Sequence, residues 1–356
     1  MIDEIANQAY HLTTGLTRKG HEVYVLLDVL RNRKRLLFSE KVPQGAKLIW
    51  IRPVPFIKPR ALALFFPMLF TILRLRPKII HVQYLWSQFF IGFIAAKLLR
   101  VPIVGTAHGW EVMDVPKWPV RGKIQRVFLK YADILILTAE FFRDYLKDIV
   151  KSERMVYIPR MIDTDMFRPG IPCDDLIEKY GNRIVTFIAR LNKIKTPYKT
   201  IEAFRKALDA FPDAQLLVLG IGPEEQPMRE AVKTLQMEES VHFLGEVPNT
   251  EIPRYLNASK VEARNFNPLT PDLGISHLEA LSCETPLLTY VEFENVGGII
   301  ICLEVEEIAE AMIKILGNEK YRQMLGAAGR KYVIENFSID AATRKTIRVY
   351  KSVLYP

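Results

Sequence analysis

The chain has 356 residues, of which 49% are hydrophobic and 25% are charged, so it is long enough for two domains and is not disordered. No apolar run reaches the roughly 18 residues of a membrane span, and the acidic start at Asp3 and Glu4 argues against a signal peptide. The formal net charge of +9 is uneven, because residues 1–160 carry 26 Lys and Arg against 12 Asp and Glu, whereas residues 161–356 carry 23 against 28. The basic half favours an anionic surface or substrate, and it contains no recognisable nucleic-acid motif. Three cysteines without metal spacing indicate buried thiols in a reducing compartment.

The first half alternates helical and strand patterns. An amphipathic helix over residues 4–19 ends at Gly20, a residue typical of helix C-termini. Fully apolar strands predict a parallel sheet covered on both faces. The predicted strands are 23–27, 48–51, 79–82, 103–106 and 134–137, and the predicted helices lie at about 60–75, 87–99, 120–131 and 139–149.

The segment 61–73, ALALFFPMLFTIL, has Lys or Arg on both sides and allows two interpretations. It would suit a membrane interface. Because it is apolar all round, we favour a helix buried against the sheet.

A Pro-rich link at 159–172 separates the halves, and its Asp163-Thr164-Asp165 is interpreted as a helix cap or turn rather than a metal site. The second half repeats the α/β pattern. Its predicted strands are 184–189, 215–219, 241–244, 261–264 and 287–290, and its predicted helices are 200–210, 250–257, 274–282, 305–316, 318–335 and 339–353, with one more after Pro223.

The stretch 268–283, PLTPDLGISHLEALSC, leads from a loop into an apolar helix near Gly274. The free N–H groups at the start of a helix attract anions. Glu279 lies about one turn further along and would reach a hydroxyl-rich part of the same ligand. This pattern suits a nucleotide sugar, which carries a diphosphate and a ribose; an ordinary capped helix is the alternative.

Several stretches occur in an order that resembles the retaining glycosyltransferases of family 4, which have the GT-B fold. The resemblance covers nearly the whole chain. The stretches are GHEVYVLL (20–27), IIHVQYLWS (79–87), PIVGTAHGWE (102–111), YIPRMIDTDMFRP (157–169), FIARLNKIK (187–195), PDAQLLVLGIGPE (212–224), VHFLGEVPNTEIP (241–253) and LGISHLEALSCETP (273–286).

The resemblance implies two Rossmann-like domains that face a cleft. Residues 1–160 would form the acceptor-side domain, residues 161–338 the domain that binds the nucleotide sugar, and a last helix at about 339–356 would cross back to the first. It also implies that Arg190 and Lys195 contact the donor diphosphate in place of a metal, so no metal or other cofactor is expected. Charge growing on a leaving diphosphate is what such fixed cations stabilise.

Further site residues follow from the same resemblance. His108 would hydrogen-bond the transferred sugar or the reacting centre, and Trp110 and Glu111 would face the acceptor. Glu279 would accept the ribose hydroxyls. The remaining donor contacts would come from Gly222, Asp272, Leu273, Gly274 and Ile275.

The chain departs from the family pattern at two important places. Where the family has a Glu eight residues before Glu279, this chain has Pro271, and Asp272 would substitute only if the loop shifts. The family also begins with a strand and a Gly-rich loop, whereas Met1 falls almost at the first helix. The first strand of the N-terminal domain is therefore expected to be missing, and we favour a misassigned or truncated start.

These observations predict a cytoplasmic, metal-independent, retaining glycosyltransferase, peripheral at the inner face of a membrane, whose acceptor is lipid-linked, polysaccharide or small. Pro271 and the missing strand leave open a degenerate paralogue that binds or scaffolds without catalysis. A nucleotide-sugar epimerase or a phosphorylase on the same fold is a third, weaker possibility, because one fold hosts many activities.

Overall fold

A computed structural model describes residues 2–28, 42–54, 60–83, 85, 87–109, 112, 125–126, 129–268, 273–291 and 297–355. The chain forms two compact α/β units. The first unit contains Met1–Met161 together with Ile339–Pro356, and the second contains Ile162–Ser338. The last helix thus belongs to the first unit, as the resemblance implies.

The strands of the first unit lie in two parallel sheets. One holds β1 and β2, and the other has the order β3-β4-β5-β6. The described strands are β1 (Val23–Asp28), β2 (Ala46–Ile51), β3 (Ile80–Val82), β4 (Ile103–Ala107), β5 (Ile134–Leu137) and β6 (Met155–Tyr157).

Within the described residues no hydrogen-bonded strand pair joins the two sheets, whereas a doubly wound domain has one continuous sheet. The absence of the first strand of this domain, expected from the sequence, remains a prediction. The described helices of this unit are α1 (Ile2–Arg18), α2 (Arg60–Leu75), α3 (Ser87–Leu99), α4 (Phe142–Leu146) and, from the end of the chain, α12 (Ile339–Leu354).

Helix α12 packs tightly on α1 at Gly15. A Cβ atom at that glycine would lie 1.9 Å from the hydroxyl oxygen of Thr343. Leu12 and Leu16 of α1 share an apolar cluster with Ala342 and Val349 of α12. Apolar burial together with the small residue thus joins the two ends of the chain in one unit.

The second unit contains one six-stranded parallel sheet in the order β12-β11-β10-β7-β8-β9, which is the order of a complete doubly wound sheet. The strand order reverses between β7 and β10. The strands are β7 (Ile184–Ile188), β8 (Gln215–Leu219), β9 (Val241–Gly245), β10 (Ser259–Ala263), β11 (Leu287–Thr289) and β12 (Ile299–Ile301).

Two apolar clusters cover the opposite faces of this sheet. Along β7, Phe187 packs into one cluster and Ile188 into the other, as the period of two along a strand requires. The helices that supply the clusters are α5 (Asp174–Tyr180), α6 (Pro197–Ala210), α7 (Glu225–Thr234), α8 (Ile252–Ala258), α9 (Ile275–Ser282), α10 (Val305–Gly317) and α11 (Glu319–Asn336).

Most predicted elements are found at or near their predicted bounds. The helix predicted over 139–149 is only the short α4, the one over 120–131 falls mostly outside the described residues, and β6, β12 and α5 were not predicted. The prediction that segment 61–73, which lies in α2, is a helix buried against the sheet was wrong in part. Leu64, Met68 and Ile72 are buried, but Phe66 and Phe70 on the opposite face are exposed.

No helix within the described ranges is long and apolar enough to span a bilayer.

Candidate functional site

In the second unit, a basic loop follows β7 at the point where the strand order reverses. Arg190 is exposed and Lys195 is half-buried. A 3-10 turn at Lys193–Lys195 places Lys195, and the side-chain oxygen of Asn192 accepts the Lys195 N–H at 3.2 Å. Ligands of open α/β sheets bind at such reversal points, beyond the carboxyl ends of the strands.

Two hydrogen bonds tie this loop to the segment after β10. The N–H of Asn265 donates to the Lys195 carbonyl at 3.1 Å, and the N–H of Phe266 donates to the Thr196 hydroxyl at 2.8 Å. The basic loop is therefore held against the end of β10 rather than projecting freely.

The turn after β8 presses on the same loop, and only glycine fits there. A Cβ atom at Gly220 would lie 1.9 Å from the Ala189 carbonyl oxygen, and one at Gly222 would lie 2.1 Å from that of Leu191. Gly220 also has a φ of +136°, which side chains rarely tolerate. Both glycines thus keep this turn tight beside Arg190; the contact of Gly222 with a donor remains a prediction.

Helix α9 begins just beyond Gly274, and its first turn carries a buried histidine. The N–H of Gly274 donates to Nδ1 of His277 at 3.1 Å, so His277 is neutral with its proton on Nε2. The sequence predicts that Gly274 contacts the donor. Its N–H group, however, already donates to His277 and is not available to an anion. Within the described residues, the N–H groups of Leu273 and Ile275 make no hydrogen bond.

A buried ion pair at the end of β10 was missed by the sequence reasoning. The Arg264 Nε donates to Glu262 at 2.6 Å and its Nη2 donates to the Ser276 hydroxyl at 2.7 Å, joining β10 to the first turn of α9. The Arg264 side chain is 2% exposed and that of Glu262 is 0% exposed. Glu262 and Arg264 alternate with Val261 and Ala263 in the predicted strand 261–264, and that alternation was the signal available in the sequence.

Three buried polar atoms around this pair lack a hydrogen-bond partner in the described part of the chain. They are Glu262 Oε2, Thr186 Oγ1 on the neighbouring strand, and His277 Nε2. Buried groups of this kind are normally satisfied by water or by a ligand.

Glu279 lies on α9 next to this cluster. Burial, and then the nearby Glu262, raises the pKa of its carboxyl group to about 7, whereas Arg264 opposes the shift. Burial together with Arg264 lowers the pKa of Lys195, and Glu262 acts in the opposite direction. Burial, Arg264 and Lys195 hold the pKa of His277 well below its usual value. The five groups are therefore close enough to affect one another's ionisation.

This arrangement has the chemistry of a site for an anion with an attached polyol. Lys195 supplies a cation, the start of α9 supplies N–H groups, and Glu279 supplies a carboxyl group, whereas the charge of Arg264 is paired with Glu262. Asp272 and Pro271 lie outside the described residues, so the structure does not describe that part of the predicted donor contacts.

The first unit contains a second set of polar side chains, on and just after β3 and β4. His108 Nε2 lies 3.1 Å from Gln83 Oε1, and Gln83 Nε2 lies 3.2 Å from His81 Nε2. His81 also contacts the Thr106 hydroxyl at 2.7 Å and the Tyr350 hydroxyl of α12 at 2.6 Å. A hydrogen-bonded chain thus connects His108 to the last helix.

Burial keeps this chain neutral. Burial lowers the pKa of His81 to about 3. Burial, and then the nearby Arg160 and His81, lower the pKa of His108 to about 3. Burial also raises the pKa of the Tyr350 hydroxyl. Trp110 and Glu111, the predicted acceptor-side residues, lie outside the described residues.

The Asp-x-Asp of the link forms a turn. The Asp163 carboxylate accepts the N–H groups of Asp165 and Met166, each at 3.0 Å. Among the described residues, no group of three or more His, Cys, Asp and Glu lies together as metal ligands would.

Comparison with known proteins gives two family matches that together span most of the chain. Residues 5–166 match Glycosyltransferase Family 4, and residues 175–332 match Glycosyl transferases group 1. The alpha-monoglucosyldiacylglycerol synthase of Streptococcus pneumoniae is 25% identical and covers 99% of this chain and 89% of its own. The N-acetyl-alpha-D-glucosaminyl L-malate synthase of Bacillus anthracis is 23% identical, with coverage of 95% and 91%.

Solved structures support the same fold. HepE of Anabaena in complex with UDP has a TM-score of 0.74 at 14% identity, covering 98% of this chain and 96% of its own. A glycosyltransferase of Rickettsia africae has a TM-score of 0.73 at 15% identity, with coverage of 99% and 96%. With its two α/β units and parallel sheets, this chain has the GT-B fold and belongs to the group 1, family 4 glycosyltransferases.

Proposed function

We propose that this glycosyltransferase moves a hexose from a nucleoside-diphosphate sugar to an acceptor, with retention at the anomeric carbon and without a metal ion. The observation that carries the proposal is the meeting of Lys195, Arg264, the start of α9 and Glu279 at the strand reversal of the second unit. A UDP-sugar is the first donor to test, since solved structures of HepE contain UDP, UDP with glucose, or UDP-glucose.

In this proposal the bond between the anomeric carbon and the diphosphate oxygen breaks, the acceptor hydroxyl oxygen forms the new bond to that carbon, and the hydroxyl proton passes to the leaving diphosphate. Negative charge grows on the leaving diphosphate, where Arg190 and Lys195 bind it together with the N–H groups of Leu273 and Ile275. Gly222 lets the backbone approach the donor in the turn after β8, and Asp272 and Gly274 contribute from the segment before α9. The cationic side chains neutralise the diphosphate charge, as a divalent metal does in other phosphate sites.

Glu279 binds the ribose hydroxyls. Its carboxyl group has a pKa near 7 before the donor arrives, and ribose hydroxyls that donate to it favour its ionised form. His108 hydrogen-bonds the transferred sugar as a neutral imidazole, which donates through one nitrogen and accepts through the other. Trp110 and Glu111 face the acceptor in the first unit.

The acceptor is lipid-linked, a polysaccharide or a small molecule, and the protein works in the cytoplasm at the inner face of an anionic membrane. The name of the pneumococcal relative specifies a diacylglycerol lipid, and that of the Bacillus anthracis relative specifies malate. The basic excess of residues 1–160 favours an anionic surface.

Calorimetry with UDP-, GDP- and ADP-sugars, with and without EDTA, tests donor use. We expect one sugar nucleotide to bind and EDTA to change neither binding nor turnover. Turnover on lipid and soluble acceptors, followed by NMR of the new anomeric proton, tests retention. A folded protein that binds no donor at millimolar concentration, or a product with inverted configuration, would overturn the corresponding part of the proposal.

A non-catalytic paralogue is the second candidate, because Pro271 replaces the Glu of the family pattern. Binding without turnover in the native chain, and turnover in Pro271→Glu, would favour it. Turnover in the native chain would reject it.

A further inference from the structure

Helix α2 presents an apolar stripe to solvent. Phe66 is 53% exposed and Phe70 is 67% exposed. Four residues apart, they lie one turn above the other on the same face, and the exposed Arg74 continues that line. The opposite face of the helix is buried in the first unit's core through Leu64, Met68 and Ile72. The fold therefore anchors this helix while leaving two phenylalanines outside.

The stripe extends towards α3 through aromatic contacts. The Phe65 ring lies 5.2 Å from that of Phe66 and 5.8 Å from that of Phe90, measured between centroids. Phe90, on α3, is itself 37% exposed. The apolar area thus spans two neighbouring helices that pack on the same core.

The charges in the chain segment that carries α2 and α3 have a single sign. Between Glu40 and Glu111 the sequence contains ten Lys and Arg residues and no Asp or Glu. Arg74, Arg76 and Lys78 follow one another at the end of α2, are exposed, and make no ion pair with any described residue. Lys97 and Arg100 are exposed at the end of α3.

We propose that the aromatic stripe, Phe66 and Phe70 with Phe90 beside them, docks on an anionic lipid bilayer. The rings enter the boundary between headgroups and acyl chains, and the basic ends of α2 and α3 contact lipid phosphates. The inference rests on the proposed function in one respect, since it names the surface by which the enzyme reaches its membrane.

Other occupants fit this surface less well. A second copy of the chain, joined about a two-fold axis, would bring two basic ends together, and residues 41–110 contain no acidic residue to pair them. Single-stranded nucleic acid is usually held in a charged groove with stacking aromatics. The aromatic stripe lies on the exposed face of one helix, not in a groove.

A matched control exists in the same unit. Phe141 and Tyr145 are also exposed aromatics four residues apart, at 45% and 42% exposure. Their basic neighbours Arg143 and Lys147 are paired with Glu140 and Asp144, so this second pair has no excess charge.

Flotation with vesicles tests the proposal. We expect the full chain to float with phosphatidylcholine vesicles that contain phosphatidylglycerol, less with phosphatidylcholine alone, and less at high salt. Phe66→Ser/Phe70→Ser should weaken binding by roughly tenfold or more. Arg74→Gln/Lys78→Gln should weaken it only on the anionic vesicles, whereas Phe141→Ser/Tyr145→Ser should not change it. Arg76 is left unchanged, because its φ of +46° makes it a structural position.

Equal loss in the control pair, or no loss in the Phe66/Phe70 variant, would overturn the proposal. A concentration-dependent dimer that Phe66→Ser/Phe70→Ser abolishes, or preferential binding to single-stranded DNA, would assign the stripe to a different partner and overturn it as well. Donor calorimetry without vesicles separates the two claims. A variant that binds donor normally but not vesicles supports the docking surface, and a chain that binds vesicles but no donor refutes only the proposed function.

Discussion

The two units place polar side chains at equivalent points, beyond the carboxyl ends of parallel strands, yet they do so with different chemistry. The second unit gathers ions: Lys195, Glu262, Arg264 and Glu279. The first unit aligns neutral groups, from His108 through Gln83 and His81 to Tyr350. Attraction between opposite charges therefore holds the side chains of the second unit in place. Single, directional hydrogen bonds hold those of the first unit. Removal of one partner should therefore lower the free energy of unfolding far more in the second unit than in the first.

The largest effect is expected for the buried pair. Arg264→Met leaves the Glu262 charge buried and unpaired, which should lower the free energy of unfolding by about 3–5 kcal/mol. Hydrogen exchange of the β10 amides measures this loss in the second unit. All four tryptophans lie at positions 50, 86, 110 and 118, so tryptophan fluorescence serves as a reporter of the first unit alone.

The double variant Glu262→Leu/Arg264→Met is the control, because it removes both charges. It should recover most of the lost stability, since apolar pairs of similar volume often replace buried ion pairs without cost. A double variant as unstable as Arg264→Met would show that the lost charge pairing is not the cause.

The next effect concerns catalysis. Lys195→Ala should lower kcat/KM by about 10²–10³, because one fixed charge on the leaving diphosphate is removed. Lys193→Ala is the matched control, an exposed lysine on the same loop. Steady-state kinetics over a donor series measures both. Equal losses in the two variants would mean that the loop contributes only general positive charge.

Third, the second unit should lose stability as pH rises. The pKa of Glu279 is about 7 in the folded chain against an ordinary value of 4.5, so the folded state binds more protons between these limits. Between pH 4.5 and 7.5 the wild type should lose up to about 3 kcal/mol relative to Glu279→Gln. Urea unfolding by far-UV circular dichroism at several pH values measures the difference. Parallel pH profiles would show that Glu279 is not buried as described.

The first unit should show a smaller effect of the opposite sign. The pKa of His81 is about 3 in the folded chain against an ordinary value of 6.5, so the unfolded state binds the extra proton as pH falls below 6.5. At pH 5 this should cost about 1–2 kcal/mol, allowing for the partial exposure of the ring. Tryptophan fluorescence in urea should show a loss in the wild type that is smaller by this amount in His81→Gln, where His108 is still buried and neutral. Loss of stability on raising the pH instead would contradict the neutral chain.

The sequence predicted local features well where the pattern is local. Residues 215–219 were predicted as a strand and found as one, because an apolar run lies between Asp213 and Gly220. Strands β6 and β12 were missed; each exists through pairing with another chain segment, β6 with β5 and β12 with β11. Site residues followed the same rule: Arg190, Lys195 and Glu279 came from motifs, whereas Arg264 and the hydrogen-bonded chain under His108 did not.

By itself, the sequence determined the alternation of strands and helices, the family and the basic character of the first half, because periodicity, motif order and charge need no third dimension. Only the tertiary structure decided that Glu262 and Arg264 are buried beside Glu279, that Tyr350 of the last helix reaches His81, and that Phe66 and Phe70 remain outside. Each of these depends on which chain segments pack together, and burial and pKa are set by those neighbours rather than by residue type.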